Sequence, residues 1–140
     1  MRFEDSAISK QHIFTKKTLG FGEFFLLDNF IIAEMNEGIH LSWNKISKII
    51  DMVLDHYGED CRIGYISNKT NSYSFEPNHW SNFFENYDFV VASVSVYYSE
   101  LSFNNATLEK LFSKKSLKRS DSIEEAISWI LDLDEFKKAY

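Results

Sequence analysis

"CRIGYISNKTNSYSFEPNHWSNFFENYDFVVASVSV", residues 61–96, decides the fold of this chain. It opens with an apolar strand, "CRIGYIS" at 61–67, that runs into Ser, Asn, Thr and Lys. Pro77 suits the first turn of a helix, where its missing N–H costs nothing, and Trp80, Phe83, Phe84 and Tyr87 supply that helix with an apolar stripe. "FVVASVSV", 89–96, is β-branched and apolar at nearly every position, as a strand covered on both faces would be. A strand, a helix and a second strand form a βαβ unit, which implies a right-handed crossover and a largely parallel sheet.

Upstream, Ser42 is placed to cap a helix. Trp43, Ile46, Ile49, Ile50, Val53, Leu54 and Tyr57 then recur at helical spacing, with Asn44, Lys45, Lys48, Asp51 and Asp55 on the other side and Gly58 at the end. Before it, Asp28-Asn29 separates "EFFLL" from "FIIAEM", as a tight hairpin turn would. Residues 1–10 read as a flexible tail, leaving 11–140 as a single domain. Downstream, the pattern predicts a helix around Ala106–Phe112, a short strand at "SLKR", and a helix opened by the capping box of Ser122 and Glu125 with Ile123, Ala126, Ile127, Ile130 and Leu131 facing inward. "DLDEFKKAY" either extends that helix or frays. The expected fold is α/β: a mixed sheet with an N-terminal antiparallel hairpin followed by parallel βα units.

The 140 residues fit one domain with a real core, and 44% hydrophobic content argues against disorder. Thirteen Phe make for a bulky core, a binding surface, or both. A net charge of −6 disfavours nucleic acid, whose phosphates need a cationic surface. A single cysteine, Cys61, permits no internal disulfide, no signal peptide is visible, and the expected compartment is the cytoplasm. The longest apolar runs fall far short of the ~20 residues that span a bilayer.

The hairpin "FFLLDNFIIAEMNEGI", the helix "SWNKISKIIDMVLDHYG", the strands "CRIGYISN" and "FVVASVSV" and the closing "SIEEAISWIL" together resemble the SpoIIAA-like group of STAS/SEC14-type domains over residues 20–131. The resemblance implies STAS architecture. In STAS anti-sigma-factor antagonists a phosphorylatable Ser, in an Asp-Ser-Ser-Gly-type signature, follows the strand equivalent to "CRIGYIS". Here that place holds "SNKTNSYSFEP", with hydroxyls at Ser67, Thr70, Ser72 and Ser74 but without the signature. The departure argues against kinase-controlled partner switching. The loop still follows a parallel strand at its carboxyl end, where open α/β sheets bind ligands.

Two readings of that loop stand side by side. Its polar residues are turn formers that satisfy local backbone; or Asn68, Lys69, Asn71, Ser72 and Ser74 form a polar contact site for a protein partner, with the helix opening at Pro77 offering free N–H groups to an anion. Trp80, Phe83 and Phe84 read as core or, on the SEC14-type side of the resemblance, as the wall of a pocket for a small apolar or lipid-like ligand. Lys110, Lys114, Lys115, Lys118 and Arg119 read as protection of an edge strand rather than a phosphate patch. Cys61 reads as a small hydrophobe, and His12, His40, His56 and His79 show no metal-ligand spacing. Ser72 or Ser74 near His79 is the remote case for a hydrolase, without a G-x-S-x-G elbow. No catalytic residues, metal or cofactor are expected. The function expected is a non-catalytic binding or regulatory module contacting a protein through 67–76, with a ligand carrier as the alternative; a homodimer stays open.

Overall fold

A computed structural model describes residues 1–98 and 116–133, apart from the side chains at 77, 80, 84, 116 and 117. The expected helix at 106–112, Lys110, Lys114, Lys115 and the end of the chain lie outside the described residues. Two short 3-10 turns lead into β1 (Thr15–Leu19), β2 (Gly22–Leu26), β3 (Phe30–Met35), a two-residue β4 (His40–Leu41), α1 (Trp43–Tyr57), β5 (Ile63–Lys69), a two-residue β6 (Ser74–Phe75), α2 (Pro77–Asn86), β7 (Val90–Tyr97), β8 (Ser116–Ser120) and α3 (Ile123–Leu131). Six strands form one sheet in the order β1-β2-β3-β5-β7-β8. β1, β2 and β3 run antiparallel, while β3–β5, β5–β7 and β7–β8 are parallel. The mixed α/β fold read from the alternation of elements is the fold observed, with β5 and β7 adjacent near the centre.

Period-two alternation sends the side chains of each strand to two separate cores. Phe24, Leu26, Ile31, Ala33, Ile63 and Tyr65 face α1, whose Ile46, Ile49, Ile50 and Val53 cover them. Phe25, Phe30, Ile32, Ile66, Val94 and Val96 face the other way, under Ile123, Ala126, Ile127 and Ile130 of α3. Both capping serines act as the sequence predicts. Ser42 Oγ accepts from the Lys45 N–H at 3.4 Å, and Ser122 Oγ from the Glu125 N–H at 3.1 Å. Gly58 closes α1 at φ 95°, a backbone angle that favours glycine, and its N–H donates to Leu54 O at 2.9 Å. Tyr57, burial of which raises its phenol far above the ordinary value of 10.0, donates its hydroxyl to Leu27 O and ties α1 to the β2–β3 hairpin.

Gly64, the second residue of β5, stands where α3 approaches the sheet closely. A Cβ at this position would lie 2.7 Å from Ile130 Cδ1 and 3.2 Å from its Cγ2. Gly64→Ala should therefore cost about 1–3 kcal/mol by overpacking. Adding Ile130→Val, which deletes the nearest clashing atom, should recover part of that loss. Urea melts of the four proteins in the double-mutant cycle check this; additive losses would show that the two positions do not press on one another.

The amino terminus is not the loose tail that its polar composition suggests. Phe3 is fully buried, its ring 5.1 Å from both Phe14 and Phe25, and Ser6 and Ser9 are buried as well. Their hydroxyls donate to Phe3 O at 2.6 Å and Ser6 O at 2.7 Å, replacing the water they lose. At the two ends of the strand order, β1 carries exposed Lys16 and Lys17, and β8 carries Lys118 and Arg119. Lys118 Nζ also stands 3.3 Å from Glu125, so the described part of the basic cluster lies on an outer strand and partly paired.

Candidate functional site

Two loops leave the carboxyl ends of the parallel strands β3 and β5 and zip together. β4 and β6 pair in parallel, His40 with Ser74 and Leu41 with Phe75. The Gly38 N–H donates to Ser72 O at 2.7 Å and the Ser74 N–H to Ile39 O at 3.0 Å. The Ser72 N–H donates to the Glu37 carboxylate at 2.7 Å, and Asn71 Nδ2 to Met35 O at 3.1 Å. The backbone of 70–76 is thereby held from several sides, while Asn71, Ser72, Ser74 and Glu76 remain exposed beside exposed Glu37 and His40. The result is a polar ledge above the sheet.

The five residues singled out from sequence divide here. Asn71, Ser72 and Ser74 stand on the ledge. Asn68 and Lys69 are 1% and 4% exposed, because β5 continues through Lys69 where an end at Ser67 was expected. Lys69 Nζ donates to the Tyr73 hydroxyl at 2.8 Å and lies 4.5 Å over the Tyr73 ring and 5.4 Å over that of Phe75. Tyr73 also meets the Ser67 hydroxyl at 3.0 Å. These hydroxyls and this ammonium support the loop from below. Asn68 turns to the other face of the sheet and donates to Glu34 at 2.7 Å.

Sequence reasoning missed His40 and Glu37, which lie 34 and 35 residues before the serines they meet. His40, rather than His79, approaches a serine: its Nδ1 lies 2.7 Å from Ser74 Oγ. His79 instead packs its ring edge-on to Trp43. A hydroxyl on an imidazole nitrogen is the start of a nucleophile–base pair. Yet the Glu76 carboxylate stands 3.9 Å from His40 Nε2, beyond hydrogen-bond reach, and the two side chains are 50% and 57% exposed. Pro77 has no N–H to offer an oxyanion, and the His79 N–H donates to Glu76 O at 3.0 Å. The arrangement is suited to hydrogen bonding, not to activating Ser74. Cys61 precedes β5 half-buried, and burial raises its thiol above the ordinary 9.0, keeping it protonated.

Between α1, the sheet and α2 lies an apolar cavity of about 30 Å³, lined by Ile31, Ile46, Ile50, Val53, Tyr65 and Phe83 among others. Phe83 is thus on its wall; the side chains of Trp80 and Phe84 lie outside the described residues. An apolar cavity of roughly 150 Å³ takes a benzene-sized guest, so this one is too small for a lipid-like ligand unless α1 and α2 part. Among the described residues no group of acids, cysteines and histidines is placed to hold a metal ion, and no helix is long and apolar enough to cross a membrane.

On the other face of the sheet, charge is concentrated around the amino terminus. Arg2 reaches Glu23 at 2.7 Å and Glu34 at 3.2 Å, and Lys16 reaches Glu23 at 2.8 Å. Hydrogen bonds from Arg2 first and Lys16 second hold the Glu23 carboxyl below its ordinary 4.5. A carboxylate depressed in the folded state contributes stability that is present above its unfolded pKa and lost as pH falls through the folded value. Melting temperature should therefore fall more steeply below about pH 4.5 for the native protein than for Glu23→Gln, by less than about 1 kcal/mol because the pair is partly exposed. Parallel acid profiles of the two proteins would show that the Glu23 pairs contribute nothing.

No known protein family model matches this sequence, and no curated protein matches it. Among solved structures it is similar to an uncharacterized protein of the DUF3478 family from Shewanella loihica PV-4, described as having a SpoIIAA-like fold. The two share 10% sequence identity over 84% of this chain and 92% of that one, with a TM-score of 0.50. At that identity the likeness bears on the fold alone. With its mixed six-stranded sheet, its amino-terminal antiparallel strands and helices on both faces, this chain has a SpoIIAA-like fold.

Proposed function

We propose that the domain is a non-catalytic, cytoplasmic binding or regulatory module that meets a protein partner through the 67–76 loop. Its contact face is Asn71, Ser72 and Ser74, flanked by His40 and Glu76. The observation that carries this reading is the zipped ledge: exposed polar side chains on a backbone already ordered by β4–β6 and the Glu37 carboxylate. Ordering before contact lowers the entropy lost on binding, and the ledge lies at the carboxyl ends of parallel strands, where α/β sheets bind ligands.

Ser72→Ala/Ser74→Ala should leave stability within about 1 kcal/mol, since both side chains are exposed. It should weaken partner capture about tenfold or more, as two recognition hydroxyls are lost together. Lys69 is left intact, because its burial would confound the result. The measurement is quantitative affinity capture with native bait, the double variant, and Lys48→Ala on the solvent face of α1 as control. A protein held by the native bait and by Lys48→Ala but lost with the double variant supports the reading. Identical capture by all three removes it. The ligand-carrier alternative rests on the cavity under α1, and lipid retained by the purified protein in native mass spectrometry would favour it instead.

A further inference from the structure

On the α3 side of the sheet, at the carboxyl ends of β3 and β5, lies a polar cluster that a hydrophobic core does not call for. Glu34 and Asn68 are 3% and 1% exposed. Asn68 Nδ2 and the Phe3 N–H each donate to Glu34 Oε2 at 2.7 Å, and Arg2 Nε donates to Oε1 at 3.2 Å. Asn68 Nδ2 also donates to Met1 O at 3.0 Å. The Tyr98 hydroxyl donates to Asn68 Oδ1 at 2.7 Å and to Met1 O at 3.2 Å. Burial first, then the charges of Glu34 and Glu124, push that phenol up to about 12, so it stays a donor at neutral pH.

We infer that Glu34, Asn68 and Tyr98, with the aromatic socket of Phe14 and Phe25, form a recognition site for a peptide segment in which arginine precedes an aromatic residue, filled in cis by Met1–Arg2–Phe3. Both main-chain groups that a peptide presents are read: the carbonyl of Met1 by Asn68 and Tyr98, the N–H of Phe3 by Glu34. Both side chains are read too, Arg2 by the carboxylates of Glu34 and Glu23, Phe3 by the two rings. Main-chain contacts supply affinity, and side-chain pockets supply selection. A buried ionic cluster is seldom the most stable filling for its volume, since well-packed apolar residues often do as well or better. The occupant lies outside the sheet, in a 3-10 turn, and leaves Met1, Glu4 and Asp5 exposed, so it can leave without opening the sheet. The site stands independently of the ledge, whose Tyr73 and Phe75 pack on the α1 side.

The test uses the full chain carrying Arg2→Ala/Phe3→Ala and a fluorescein-labelled synthetic peptide of residues 1–6, MRFEDS, followed by fluorescence anisotropy. The double variant should bind the peptide about tenfold or more tighter than the native protein, in which the tethered segment competes at high effective concentration. Alanine at either the arginine or the phenylalanine of the peptide should lose about tenfold, as should Glu34→Gln added to the double variant. Equal binding to native and variant protein, indifference to Glu34→Gln, or no binding up to about 1 mM would overturn the inference. Native-state hydrogen exchange decides the matter on the unaltered protein even if the variant does not fold. The Phe3 amide should exchange about a hundredfold or more faster than those of Ile32 and Ile66 in the central strands. Exchange of Phe3 as slow as theirs would mean that the segment leaves only on global unfolding, and the inference fails.

Discussion

Glu34→Ala should lower the free energy of unfolding by about 3–5 kcal/mol, the cost expected when one partner is removed from a buried charged network. Glu34 is 3% exposed and accepts from the Phe3 N–H, Asn68 Nδ2 and Arg2 Nε. Alanine leaves these donors in different positions. Arg2, whose side chain is 45% exposed, turns to water or stays on Glu23. Asn68 keeps Met1 O. The Phe3 N–H is buried with no acceptor left, which alone costs about 1–3 kcal/mol. A charge-assisted bond is lost as well, and a void opens beside Ile32 and Ile66. Glu34→Gln, which keeps a carbonyl acceptor, should cost visibly less. Urea melts monitored by Trp fluorescence give both numbers. A loss below about 1 kcal/mol for Glu34→Ala would mean that water already reaches the carboxylate and that the amino-terminal segment rests lightly on it.

Ile50→Ala should cost about 2–5 kcal/mol, from lost transfer energy plus the cavity left behind. Ile50 is 5% exposed and lies in the stripe of α1 that covers Ile31 and Tyr65. It also borders the 30 Å³ cavity, so the new void merges with space already empty and the walls gain little by collapsing. That places the expected loss toward the upper part of the range. Lys48→Ala, on the exposed face of the same helix, should change stability by less than about 0.5 kcal/mol. Similar losses for the two in urea would mean that the helix does not present the face described.

The elements most legible in the sequence are those whose signal repeats within one turn or one pleat. The stripe from Trp43 to Tyr57, bounded by Ser42 and Gly58, placed α1 to the residue. The capping box at Ser122 placed α3, and "FVVASVSV" placed the central strand within one residue. In each case the side chains that carry the signal are neighbours on one element, and every residue reports independently on the same face. The ledge was half legible. Its exposed hydroxyls and amides stood out as a polar run after a strand, but the end of β5 was set two residues early. Asn68 and Lys69 look like loop residues by composition and become strand residues because Tyr73, Phe75 and Glu34 wait for them on the two faces of the sheet.

What the amino-acid sequence determined by itself was the alternation of strands and helices, the inward faces, the caps and the parallel βα order. These rest on periodicity, capping chemistry and the short reach of the connecting loops. Only the tertiary structure decided which polar residues meet. His40 and Ser74 are 34 residues apart, as are Glu34 and Asn68, and Arg2 lies 32 residues from Glu34. No local preference encodes such pairs. They exist because β3 and β5 lie side by side in register, Ile32 against Ile66 and Ala33 against Ser67, so residues beyond those points are delivered to a common end of the sheet. The amino terminus makes the same point. By composition "MRFED" is a solvated tail, and it is ordered because one phenylalanine finds a socket between Phe14 and Phe25 while a buried carboxylate accepts its backbone N–H. Burial of the Phe3 ring and pairing of the Glu34 carboxylate together offset the entropy of fixing a few residues of chain, and that balance is set by the three-dimensional neighbours alone.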